Sequence, residues 1–154
     1  MGYYTKNEIE NFAFTQAQIF EVKEYRDQLI LDLGYVIIKA NNSCNRDVFD
    51  MGTNELRLRL YEVSDIKITR LGCKIYNADG KLMSESPDEV LAKEQQEQIF
   101  ETWNGGLGQI TAMRHETEKY SFDVETEEDL YLFEVAATEN SQEWERFRRL
   151  PSEY

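Results

Sequence analysis

The chain has 154 residues, two cysteines, one histidine and a formal net charge of −13. That length suits one domain with a substantial buried core and needs no metal or disulfide staple. Such a surplus of acid disfavours nucleic-acid binding, which rests on neutralising phosphates with Lys and Arg.

The amino terminus, MGYYTKNEIE, has no basic segment followed by an apolar one, so no signal peptide is expected and the cytosol is the expected compartment. The longest apolar stretch, LILDLGYVII, is broken by Asp32 and is too short to cross a bilayer. Thr5 and Glu8 have capping-box spacing. Ile9, Phe12, Ala13, Ala17 and Phe20 follow on one helical stripe, which predicts a helix over residues 6–17. QIFEVKEY also alternates as a strand would.

Residues 28–40, QLILDLGYVIIKA, are apolar on both parities and read as a central strand, and residues 41–54 read as a loop. ELRLRLYEV alternates with a period of two, with Leu56, Leu58 and Leu60 facing one way and Arg57, Arg59 and Tyr61 the other. DIKITRLGCKIYN continues the alternation with a bulge expected at Gly72, and Asp79-Gly80 marks a hairpin turn. Arg57, Arg59, Lys67 and Arg70 could form a basic stripe. Cross-strand ion pairs with Glu62 or Asp65 are the plainer expectation.

Ser86, Pro87, Asp88 and Glu89 have the composition of a helix start and predict a surface helix over 86–103. It leads into TWNGGLGQI, whose three glycines raise the question of a phosphate loop. A dinucleotide fingerprint needs a strand before and a helix after, and a third glycine where Thr111 stands. Gly105 therefore reads as the left-handed residue past the helix end, with Gly106 and Gly108 as the turn into the next strand. QITAMRHE, KYSFDVE and DLYLFEVAA read as a strand meander. Trp144, Phe147 and Leu150 recur every third residue before Pro151 and predict a carboxy-terminal helix over 141–150. The expected fold is a single α+β domain, mainly an antiparallel sheet with these three helices.

No motif for a cofactor or metal is present. NADG imitates the centre of a calcium loop, but alignment on Gly80 puts Ile75 and Ser86 where the first and twelfth ligands belong. Cys44 and Cys73 lie far apart without a CxxC and read most simply as free thiols, with a disulfide open if their strands adjoin. His115, the only imidazole, sits between a strand and an acidic turn and reads as an edge or turn histidine without a partner nucleophile.

The acid is concentrated in residues 82–145, which hold 17 carboxylates against three bases. A field of this kind attracts a basic protein surface; its plainer use is solubility. The expectation is a non-enzymatic protein of inhibitor or immunity type that binds a basic partner through Glu125, Glu127, Glu128 and Asp129. Trp144, Arg148 and Arg149 are expected as a second contact patch, since interfaces favour Trp and Arg. The alternatives are a ligand-binding protein with an apolar pocket lined by Tyr35, Tyr61, Tyr120 and Tyr131, and a carboxylate-dependent hydrolase.

Overall fold

A computed structural model describes residues 2–151. In chain order the elements are β1 (Tyr3–Lys6), β2 (Phe12–Ala13), β3 (Ala17–Tyr25), β4 (Gln28–Gly34), β5 (Val36–Ile38), β6 (Met51–Thr53), β7 (Leu56–Tyr61), β8 (Asp65–Arg70), β9 (Lys74–Tyr76), β10 (Leu82–Glu85) and β11 (Glu89–Val90). They continue with α1 (Lys93–Trp103), β12 (Gly108–Glu116), β13 (Lys119–Glu125), β14 (Leu130–Ala136) and β15 (Glu139–Trp144). Ten strands form one antiparallel sheet in the order β1-β15-β7-β4-β3-β12-β13-β14-β8-β11, while β2, β5 and β6 make a small second sheet and β9 and β10 pair alone.

The connections require the large sheet to roll. β7 and β8 stand six places apart in the strand order. In a flat sheet that is about 29 Å at roughly 4.8 Å per strand. Only Glu62, Val63 and Ser64 join them, a link that reaches about 14 Å at most. Ala137 and Thr138 join β14 to β15 across the same interval. Tyr61 faces Glu139 and Asp65 faces Ala136, so residues 56–70 and 130–144 form one long ribbon that bends at this corner. The corner is tied by Ser64 N–H to Ala136 O and Thr138 N–H to Tyr61 O, both 2.9 Å. Strands that pass from one layer to another in this way make the corners of orthogonal β packings.

Rolling encloses one face of each strand, which is why the period of two is so clean. Leu56, Leu58 and Leu60 are buried with Leu29, Leu31 and Leu33, Phe122, Val124, Tyr131 and Phe133. α1 crosses from the β11 side to β12 and closes the core with Ile99, Phe100 and Trp103; the Trp103 ring lies 5.4 Å from Tyr131 and 5.2 Å from Phe133. Buried Gln96 donates to Ile66 O at 3.1 Å, and Asn104 Oδ1 accepts from Val22 N–H at 3.1 Å, so polar side chains fix both ends of the helix to the sheet.

The architecture corrects the expected three-helix α+β fold: it is mostly antiparallel sheet with one α-helix. Residues 6–17 form no α-helix, only a single 3-10 turn at Ile9–Asn11. Asn7 and Gln16 have φ of 57° and 72°, and Thr5 spends its hydroxyl on Gln142 Oε1 at 2.6 Å instead of capping. Ile9, Phe12 and Ala17 of that stripe are nonetheless buried, while Ala13 and Phe20 are half-buried.

Residues 141–150 are not a helix either. β15 is held between β1 and β7, and this double pairing buries Asn140, Ser141 and Gln142 together with Trp144. The helix expected over 86–103 begins only at Lys93, because Ser86 and Asp88 spend their side chains elsewhere. Cys73 N–H donates to Ser86 Oγ and Gly72 N–H to Asp88 Oδ1. Past its end Gly105 is left-handed as expected, at φ 76°. Gly108 faces the Trp103 side chain, where a Cβ would come within 2.8 Å. The stretch 28–40 splits at Tyr35, φ 61°, and residues 51–53 of the expected loop form β6.

Candidate functional site

β8 and β11 pair as Arg70 with Glu89, and the same register resumes beyond them with Lys74 opposite Glu85 and Ile75 opposite Ser84. β9 and β10 are thus the continuation of a sheet ribbon that runs past the body of the molecule as an arm. The tip is built by Asn77, whose Oδ1 accepts from Asp79 and Lys81 N–H while Gly80 takes φ 79°. The base is built by Ser86 N–H to Cys73 O at 2.8 Å and by the close approach of Gly72, where a Cβ would lie 1.9 Å from Ser86 O.

Every residue of β9 and β10 is exposed. Ile75, Tyr76, Leu82 and Met83 are among them, with Leu71, Val90 and Leu130 exposed around the base. Two-stranded hairpins are marginal in water by themselves. Apolar residues that gain nothing from the core are therefore available to something outside it. The expected hairpin at Asp79-Gly80 is present; at Gly72 the pairing breaks between β8 and β9, and the register shift in the arm lies between Leu82 and Ser84.

Beside the arm base lies the β13–β14 turn, closed by Thr126 N–H to Asp129 O at 2.9 Å and Asp129 N–H to Thr126 Oγ1 at 3.1 Å. It presents Glu125, Glu127 and Glu128 to solvent. Between turn and arm is an open cleft of about 470 Å³ that includes Gly72, Cys73 and Ser86 on one side and residues 125–130 on the other. Asp129 is turned toward Arg70, 3.6 Å away, which also reaches Glu89 at 3.3 Å and lies over the Tyr131 ring. Among the described residues, Glu125, Glu127 and Glu128 enter no ion pair. Three expected site residues are thus uncompensated, and the fourth is partly neutralised.

The second expected patch lies elsewhere. Trp144 is buried among Tyr3, Phe12 and Phe147, and sits at the opposite end of the bent ribbon from Leu130. Arg148 pairs its backbone with Gly52 and holds its guanidinium over Tyr35; Arg149 is exposed. The basic stripe is broken up by ion pairs, though not with Glu62 or Asp65. Arg57 makes a two-pronged contact with Asp32 at 2.7 and 3.2 Å, and Arg59 lies 3.9 Å from Glu143.

The four tyrosines do not line a common pocket. Tyr120 and Tyr131 are core residues, Tyr61 Oη bonds Ser141 Oγ at 2.8 Å, and Tyr35 is exposed. His115 stacks on Tyr120 at 4.2 Å; its Nδ1 meets Glu10 and its Nε2 the Thr117 carbonyl, so both ring nitrogens are occupied. Burial alone would raise the Glu10 carboxyl, but the bond from His115 leaves it below the usual glutamate value. Both cysteines are free, and among the described residues no group of three or more His, Cys, Asp or Glu is placed to hold a metal ion. Nor is any described helix long and apolar enough to cross a membrane.

Sequence reasoning found the carboxylates but missed the arm's apolar surface. The signal was present in KIYNADGKLM, where Ile75-Tyr76 and Leu82-Met83 flank the turn on both parities, so no orientation of this hairpin could bury all four. No protein-family model matches the chain, and no curated protein and no solved structure matches it.

Proposed function

We propose that the chain is a non-enzymatic interaction protein, of inhibitor or immunity type, that binds a basic protein partner at the end of the molecule formed by the β9–β10 arm and the β13–β14 turn. The carrying observation is the coincidence, at one end, of exposed Ile75, Tyr76, Leu82 and Met83 with uncompensated Glu125, Glu127 and Glu128. Exposed apolar groups rimmed by charge are the usual composition of a protein-binding patch. The carboxylates steer a cationic partner, and the apolar side chains supply the contact that persists when salt screens that steering.

The test is affinity capture from the source cells at low and moderate ionic strength, with the wild-type chain beside two variants. One carries Glu125→Lys, Glu127→Lys and Glu128→Lys; the other carries Ser at 75, 76, 82 and 83. A basic protein held by the wild type and released by both variants is the expected result. Equal recovery by all three chains would overturn the assignment of the site.

A further inference from the structure

We infer that the partner presents an extended basic segment that adds as a β-strand to the free edge of β9, in the notch between the arm and the β13–β14 turn. The inference rests on the proposed function and specifies how that site recognises its partner. β8 has β14 on one side and β11 on the other. The last tie on the β14 side is Leu71 N–H to Leu130 O at 2.8 Å, after which β14 has ended while the ribbon runs on as β9. Beyond it β9 pairs with β10 alone, so its other edge has no strand beside it among the described residues. At the base of that edge the cleft of about 470 Å³ sets Gly72 and Cys73 across from the turn bearing Glu125, Glu127 and Glu128.

The backbone of β9 is set for pairing. Ser86 N–H donates to Cys73 O and Asn77 N–H to Lys81 O, so Cys73 and Asn77 spend their polar groups inside the ribbon. Because these groups alternate in direction along a strand, Lys74 and Tyr76 direct their N–H and C=O outward at that edge. Unpaired edges of this kind are templates for another strand.

Side-chain chemistry selects the segment. Tyr76 pairs with Leu82 on one face and Ile75 lies on the other, so an added strand meets an apolar neighbour on each face. Lysine or arginine at alternate positions would reach Glu125, Glu127 and Glu128. The backbone tie to this turn comes from Leu71 on the β8–β9 strand, which makes the β9 edge the favoured lane.

The test is a nuclear magnetic resonance titration of the full chain, labelled with nitrogen-15, using three cationic probes. The first is an end-capped octapeptide of alternating lysine and valine; the second is its analogue N-methylated on alternate residues; the third is a helix-forming lysine–alanine peptide of equal charge. We expect the first to shift the Lys74 and Tyr76 amides and slow their hydrogen exchange. The N-methylated analogue is expected to lose at least tenfold in affinity, as is the first peptide against the chain carrying Glu125→Gln, Glu127→Gln and Glu128→Gln.

Equal binding of the N-methylated or helical probe, with shifts at residues 125–128 and none at 74–76, would overturn strand addition and leave the acidic-site reading standing. No binding of any probe would overturn both. Protection of the Lys74 and Tyr76 amides in the unliganded chain that grows with protein concentration would assign the edge to a second copy and overturn the inference.

Discussion

On the outer face of β4, β7 and β15 the half-buried arginines have carboxylates on the neighbouring strands. Asp32 grips Arg57 from the register position opposite, Glu143 approaches Arg59, and Lys6 reaches Glu139 at 3.2 Å. At the arm end the balance is different: Arg70 is shared between Glu89 and Asp129, and Glu125, Glu127 and Glu128 stand without a cation among the described residues. The first surface completes its electrostatics within the chain and so contributes to stability. The second leaves its carboxylates without a complement among the described residues, and under the proposed function these are the groups that serve recognition.

Substitutions should separate the two surfaces, and the largest effect is expected where the arm joins the body. In Gly72→Ala the new Cβ would press on the Ser86 carbonyl and on Pro87 backbone atoms 2.6 Å away. Forced displacement of packed backbone costs about 1–3 kcal/mol. Hydrogen exchange should report it as lost protection confined to residues 72–88, with partner binding lost and the core unchanged. Gly105→Ala, where nothing lies within 4 Å and only the positive φ objects, should lower stability by about 1 kcal/mol and leave binding intact. Thermal unfolding measured beside binding reads both outcomes.

Arg57→Ala removes a two-pronged partner from half-buried Asp32; fully exposed ion pairs are worth about 0.2–1 kcal/mol, so a loss of stability of at least that size, read as a fall in melting temperature, is expected. The triple change of Glu125, Glu127 and Glu128 to Gln should move stability by no more than about 0.5 kcal/mol, upward because mutual repulsion is relieved. The two surfaces thus predict opposite signs in one denaturation experiment.

The smallest expected effect is on acid stability. Burial opposes ionisation of Glu8 and Glu10, but bonds from Ser43 and Asn11 to Glu8, and from His115 to Glu10, hold both below the usual 4.5. A carboxyl depressed in the folded state stabilises it above the unfolded value and loses that contribution as pH falls through the folded one. Melting temperature should therefore hold down to about pH 4.5 and decline below it, and Glu8→Gln should flatten the decline.

Strands that bury one face were readable from sequence, because the rolled sheet prints a period of two onto residues 56–61, 119–125 and 130–136. Helices were over-read for two physical reasons. Apolar residues spaced by three or four, as in Ile9-Phe12 and Trp144-Phe147, also arise where short strands and turns alternate. Capping residues such as Ser86 and Asp88 are equally good partners for a kinked ribbon's backbone. The site was half readable. Its carboxylates announce themselves by density, but their lack of a partner depends on which carboxylates claim Arg57, Arg59 and Arg70, and only the tertiary structure settles that.

The central claim is that the carboxylates left uncompensated at the arm end act in recognition. Its most direct test is the affinity of the captured partner for the wild-type chain and for the triple glutamine variant, measured at low and moderate salt on samples of equal melting temperature. Wild-type binding should weaken as salt rises, and variant binding should be at least tenfold weaker at low salt with little salt dependence. Equal affinity and an equal salt response in the two chains would contradict it.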